Sequence, residues 1–244
     1  MRAHVRMAVL VGVLLGSGAL TLADDLESVE KKLISAWDSH KSISAKLTVS
    51  NHMGGMEGTG QGTYEYVRAG DKLMLHVEMT TAMVQKMGDQ EMKMDQSTLM
   101  VVDGEFAYTL ITRKSPAMGL DQTMAAKSDI EPSMSGAPKY MFTQLRETNT
   151  LKLLPEQTID GRKVFVIEAS QTAETGMPGG TYRTVLCLCQ ETGMAVKTET
   201  FDADGKSVST MAFSDIKVDQ DIDPARFKWV APEGVEVVDQ TKKP

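Results

Sequence analysis

Two runs of alternating apolar residues lie at the centre of the chain. Leu73, Leu75, Val77, Met79 and Met83 share one parity, and Met92, Met94, Met100 and Val102 share one parity beyond Met87-Gly88-Asp89-Gln90. Side chains two apart on a strand point to the same face. The pattern therefore predicts two long antiparallel strands joined near Gly88, with one methionine-lined face. A helix with Met79, Met83 and Met87 at four-residue steps is the competing reading.

The same period recurs in residues 43–49, with apolar groups at odd positions, in 63–68 and in 101–108, where Asp103-Gly104 marks a tight turn. Beyond Pro155 come four more strand-like runs, 164–169, 182–190, 195–201 and 207–218. Their turns are Glu191-Thr192-Gly193 and Asp202-Ala203-Asp204-Gly205. Gly54-Gly55-Met56-Glu57-Gly58 reads as a turn region. Gly58-Thr59-Gly60-Gln61-Gly62 reads as a turn and strand entry, because a phosphate loop would precede a helix.

Two helices stand out. Residues 24–40 carry Leu26, Val29, Leu33, Ala36 and Trp37 at three- and four-residue steps, with Asp24 or Asp25 as cap. Residues 139–148 place Met141, Phe142 and Leu145 on one side. Between 114 and 138 no period survives and three prolines intervene, which predicts a long surface loop. The tail, from Asp223 to Trp229, reads as one helical turn followed by extended chain. This order of elements implies an α+β fold, one large antiparallel sheet with helices over one face. With no linker or repeat, residues 24–244 are expected to form a single domain.

At the N-terminus, Arg2, His4 and Arg6 precede an apolar run, then Gly16-Ser17-Gly18-Ala19 and Ala23 before Asp24-Asp25. That is the pattern of a signal peptide, residues 1–23, cut after Ala23. The run is too short to span a bilayer. No cysteine stands at the cut, so the exported protein is expected to carry no lipid anchor.

Chemistry is scarce. The net charge is −7 with no basic cluster, which argues against nucleic acid as a partner. His40, His52 and His76 lack metal-ligand spacing, and neither H-E-x-x-H nor G-x-S-x-G occurs. Asp202-x-Asp204-Gly205 begins like a calcium loop, but Phe213 stands where the bidentate acid belongs. Cys187 and Cys189 would share a face at a poor disulfide geometry, and without a nearby His they read as small buried hydrophobes. No catalytic group, cofactor or resident metal is implied, and no enzyme is expected.

Methionine is the exception. Nine of the 18 fall between Met53 and Met100. Three readings stay open: core packing, a plastic apolar cavity lined by flexible thioethers, or soft copper ligands in Met92-x-Met94 and His52-Met53-x-x-Met56.

Several stretches resemble the LolA-like superfamily of periplasmic lipoprotein carriers. They are Ser44-Ala45-Lys46-Leu47-Thr48, the run from Gly58 to Arg68, Leu99-Met100-Val101-Val102-Asp103-Gly104, and the closing run from Ile222 to Val237 with its Phe227, Pro232, Gly234 and Val235. The resemblance implies an incomplete antiparallel β-barrel, a strongly curved sheet whose concave mouth is covered by helices. It also implies a periplasmic, non-covalent carrier, acting as a monomer, that shields acyl chains of a lipoprotein or lipid and exchanges them with inner- and outer-membrane partner proteins. In such a protein Leu75, Val77, Met79, Met83, Met92, Met94, Met100 and Phe106 would line the apolar cavity. Arg68 falls where carriers place an arginine that holds the helical lid, and Met141, Phe142 and Leu145 would belong to that lid. A sensor or binding module on the same fold is the alternative, with a copper-binding protein behind it.

Overall fold

A computed structural model describes residues 25–87, 90–172 and 182–241. The expected signal peptide and Gly88 of the expected turn lie outside the described residues. Helix α1, Leu26–Ser39, starts where the Asp25 carboxylate accepts the Ser28 amide at 2.7 Å, and it buries Val29, Leu33 and Trp37. Six strands follow as successive antiparallel neighbours: β1 Ser42–Met53, β2 Met56–Ala69, β3 Lys72–Met87, β4 Gln90–Asp103, β5 Ala107–Ser115 and β6 Leu120–Ser128. A 3₁₀ turn at Pro132–Ser135 and helix α2, Pro138–Thr148, lead into β7 Asn149–Ile159, β8 Arg162–Gln171, β9 Arg183–Cys189, β10 Ala195–Phe201 and β11 Ser207–Val218. A further 3₁₀ turn, Pro224–Phe227, precedes β12 Val237–Asp239.

All twelve strands form one sheet, ordered β12-β6-β5-β4-β3-β2-β1-β11-β10-β9-β8-β7. Only β12 on β6 is parallel. The outer strands do not meet, and the sheet is strongly curved, an unclosed barrel of the α+β class. Its connectivity explains the curvature. In a flat sheet β6 and β7 would stand ten strand spacings, about 48 Å, apart. The connection of residues 129–148, with its 3₁₀ turn and α2, reaches only about 40 Å when fully aligned. The sheet must roll for the chain to cross.

The paired alternation from Leu73 to Val102 is realised as the β3–β4 hairpin, with Leu75 opposite Val102 and Met83 opposite Met94. This excludes the helical reading. Other expectations need correction. The turn before β2 is only Gly54-Gly55, both at positive φ, and the Gly58 to Gly62 run lies inside β2. Much of the expected loop at 114–138 is regular structure: β5 runs to Ser115, and β6 pairs with it throughout. Strand β6 escapes detection because its outward residues and much of its inward side are polar or small. Strand β7 contains Pro155, tolerated because β7 is an edge strand with an irregular register between Leu154 and Gln157. Strand β12 was read only as extended tail.

Two apolar clusters hold the layers together. Phe165, Ile167, Leu186 and Leu188 pack with Val29 and Leu33 of α1 and Phe142 of α2. Val164, Val166, Cys187 and Cys189 belong to the other cluster, with Ile43, Tyr66, Leu75 and Val102. Both sides of β8 and β9 are thus buried, which is why their sequences run continuously apolar. The closing segment straps the outer face. Arg226 Nε donates to Glu65 at 2.8 Å, its Nη2 donates to His76 Nδ1 at 3.1 Å, and Trp229 stacks on Tyr108 at 5.2 Å.

Strand β2 packs closely on β3 where it lacks side chains. A Cβ on Gly62 would lie 2.0 Å from the Glu78 carbonyl oxygen and 2.9 Å from Met79 Cα, both immovable backbone. Gly62→Ala is expected to cost about 1–3 kcal/mol, read as a lowered urea midpoint. Gly58→Ala should cost less, because its added methyl meets the movable Met83 side chain at 3.2 Å.

Burial, then the Arg226 charge, push the His76 imidazole below its usual range. Folded protein therefore keeps His76 neutral where the unfolded chain already binds a proton. Its contribution is complete above the ordinary imidazole value of about 6.5 and is lost as pH falls through the lowered folded value. The unfolding midpoint should drop between about pH 7.5 and 5.5, and His76→Gln should reduce that drop.

Candidate functional site

One row across the sheet, Ile43-Tyr66-Leu75-Val102-Ala107, defines its inner face. The helical layer rests on this side. Trp37 of α1 meets Tyr66 at 5.0 Å between ring centroids, and the buried Tyr64 hydroxyl donates to the Ser135 carbonyl at 2.8 Å. Burial pushes the Tyr64 phenol far up, so it stays a protonated donor at any physiological pH. Arg68 projects from the same face at the rim. Its Nη2 donates to the Asp38 carboxylate at 2.9 Å, its Nη1 to the Asp38 carbonyl at 3.2 Å and its Nε to Tyr66 Oη at 3.2 Å. Arg68 therefore ties the end of α1 to β2. Between α1, the β2–β3 turn and residues 130–140 lies a cleft of ≈ 530 Å³, floored by Trp37, Tyr66 and Leu73 and edged by Arg68, Lys72 and Lys139.

Farther along the strands the helical layer ends and the inner face changes character. The next rows are Phe213-Leu47-Gly62-Met79-Thr98-Ile111-Met124 and Met211-Val49-Gly60-Thr81-Gln96-Arg113-Gln122, followed by Asn51-Gly58-Met83-Met94. The glycines of β2 leave room for Val49, Thr81 and Met83 to lean across them. Met56, Met124 and Met211, all on this face, are 40%, 39% and 36% exposed, so its thioethers are reachable from solvent. Charge is sorted between the faces. In β1–β6 the register sends every Asp, Glu and Lys outward, leaving Arg68 and Arg113 as the charged residues facing in.

The expected cavity residues divide accordingly. Leu75 is buried core, and Val77 and Met100 pack against that core. Met79, Met83, Met92 and Met94 lie on the same face beyond it, partly exposed, in neither apolar cluster. Phe106 is not among them. It occupies the β4–β5 turn, its amide held by the Asp103 carboxylate, with Lys127 Nζ 3.4 Å from its ring centroid. On α2, Phe142 is fully buried against α1 and β8, and Met141 and Leu145 pack beside it. Arg146 pairs with Glu30 of α1. The segment that reaches over the inner face is instead residues 130–137, where Ile130, Met134 and Ala137 pack on the core.

Sequence reasoning did not single out Met124, Met211 or Arg113. Met211 and Arg113 could have been found by extending strand parity, while Met124 was hidden by the loop reading of β6. The copper pattern around His52 is split, since register puts His52 on the outer face opposite Glu57 and Met56 on the inner. Among the described residues no three His, Cys, Asp or Glu groups converge on a metal position. Burial raises the Cys187 thiol above its usual range, away from a ligating thiolate. No helix among them is long and apolar enough to cross a membrane.

No protein-family model matches the chain, and no curated protein matches its sequence. Solved structures are similar to it at low identity. Pseudomonas aeruginosa MucB, in complex with MucA, is 14% identical over 83% of this chain and 60% of that one, with a TM-score of 0.47. A putative outer membrane lipoprotein-sorting protein domain from Vibrio parahaemolyticus is 12% identical over 82% and 94%, with a TM-score of 0.31. The Mycobacterium tuberculosis lipoprotein LppX is 11% identical over 82% and 99%, with a TM-score of 0.37. The chain spans about three-fifths of the length of the MucB chains it matches. At these values the likeness concerns the fold alone.

The hold of residues 130–137 on β2 can be tested through Tyr64. Tyr64→Phe leaves the Ser135 carbonyl without its donor and should cost about 1–2 kcal/mol. Hydrogen exchange of the amides around Ser135 to Ala137 should rise, while the β3–β4 hairpin stays protected.

Proposed function

We propose that this protein is a non-catalytic carrier of the cell envelope that shelters the acyl chains of a lipoprotein or lipid on the inner face of its curved sheet. The observation that carries the reading is the composition of that face over β1–β6, which is free of acids and lysines, rich in thioethers and partly exposed. An apolar surface left open to water is a liability in a soluble protein unless it serves binding. Exposing one acyl chain costs about 0.8 kcal/mol per methylene, on the order of 10 kcal/mol for a long chain. A carrier must offer equivalent apolar area, and methionines can adapt it to chains of varied shape. The filled half of the sheet supplies stability, and the methionine half supplies the binding wall. Residues 130–137 and the Arg68 contact with α1 form the movable cover beside it.

The protein purified from its host and extracted with organic solvent should release acyl species detectable by mass spectrometry. Met79→Asp combined with Met83→Asp should lower binding of a fluorescent acyl probe by about tenfold or more, while circular dichroism stays unchanged. Absence of acyl species together with unchanged probe binding in the variant would remove this reading.

A further inference from the structure

On the methionine wall one residue has no place in a purely apolar surface. Arg113 lies in the row Thr81-Gln96-Arg113-Gln122, with Met94 and Met124 one row away on neighbouring strands. Its Nε donates to Gln96 Oε1 at 2.9 Å, and the Gln96 amide donates in turn to Thr98 Oγ1 at 3.3 Å. These bonds orient the guanidinium. Among the described residues no carboxylate lies within ion-pair distance of it, although other arginines, including Arg68, Arg146, Arg162, Arg183 and Arg226, each have one. The nearest acids along the strands, Asp95 and Asp121, stand on the outer face, where Asp121 pairs with Lys114. A partly buried cation on the β1–β6 face, whose strands point every acid the other way, inside a chain of net charge −7, is complementary to an anion. The Nη groups left over by Gln96 form the planar fork that suits a carboxylate or phosphate.

We infer that Arg113 is the headgroup site of the methionine wall, and that the ligand is an amphiphile with one anionic head, carboxylate or phosphate. The head is held by Arg113 beside Gln96, and the chain lies over Met79, Met83 and Met94. This rests on the acyl-binding reading and narrows it. An acylated protein terminus without a charged head would leave Arg113 unpaired, whereas an ionised fatty acid or an anionic lipid satisfies it.

The test uses delipidated protein with cis-parinaric acid and its methyl ester, which share one fluorescent chain and differ in charge. At about pH 8 the acid should bind about tenfold tighter than the ester. Arg113→Gln should abolish that preference by weakening the acid alone, and Arg113→Lys should keep most of it. Unchanged ester binding by Arg113→Gln also shows that the wall is intact. Equal binding of acid and ester by the native protein overturns the headgroup assignment but preserves acyl binding; failure of both probes to bind overturns both. A preference that survives Arg113→Gln assigns the anion to another residue and likewise overturns the inference. Displacement by palmitate against lysophosphatidylglycerol then separates the carboxylate from the phosphate source.

Discussion

Residues 129–148 have to carry the chain from β6, next to one edge of a twelve-stranded sheet, to β7 at the other. Much of that length is spent on a 3₁₀ turn and a helix, so the connection is too short for a flat sheet. Curvature is therefore a condition of connectivity, and the connection necessarily passes over the inner face. Tyr64 receives it through Ser135, and α2 docks on α1 and β8 through Phe142. Close packing of β2 on β3 is permitted at Gly62, where β3 backbone occupies the space a side chain would need.

This geometry divides the inner face into two zones. Under the helical layer, Trp37, Tyr66, Leu75 and Val102 form a filled core. Beyond it, the rows through Met79, Met83 and Met94 continue the same face, outside both apolar clusters among the described residues. Strand alternation allows this arrangement, because acids and lysines of β1–β6 all point the other way. The outer face then carries its own closure, with Arg226 joining Glu65 and His76 and Trp229 stacked on Tyr108.

Legibility in the sequence followed local signal strength. The β3–β4 hairpin was readable because fourteen to sixteen residues per strand keep one parity. Helix α1 was readable from a cap and a four-residue stripe. Strand β6 was not, since Asp121, Gln122, Thr123 and Ala126 give no apolar alternation on a strand whose inner side holds Met124 alone among large exposed apolar residues. The Gly58 to Gly62 run misled for a related reason: turn chemistry and tight strand packing both select glycine. Phe106 was drawn into the expected cavity because it is large and apolar, yet its amide bond to Asp103 turns it toward Lys127.

By itself the sequence determined the alternation of β3 and β4, the shared face of their methionines and the amphipathic helices, because each is encoded within a few residues of neighbouring chain. Only the tertiary structure decided which methionines are core and which line an open wall, since that depends on where the helical layer ends. It alone brought Arg113 beside Gln96 and onto the face opposite Asp95 and Asp121, because strand register couples residues far apart in the chain and sets the side of the sheet on which each charge falls.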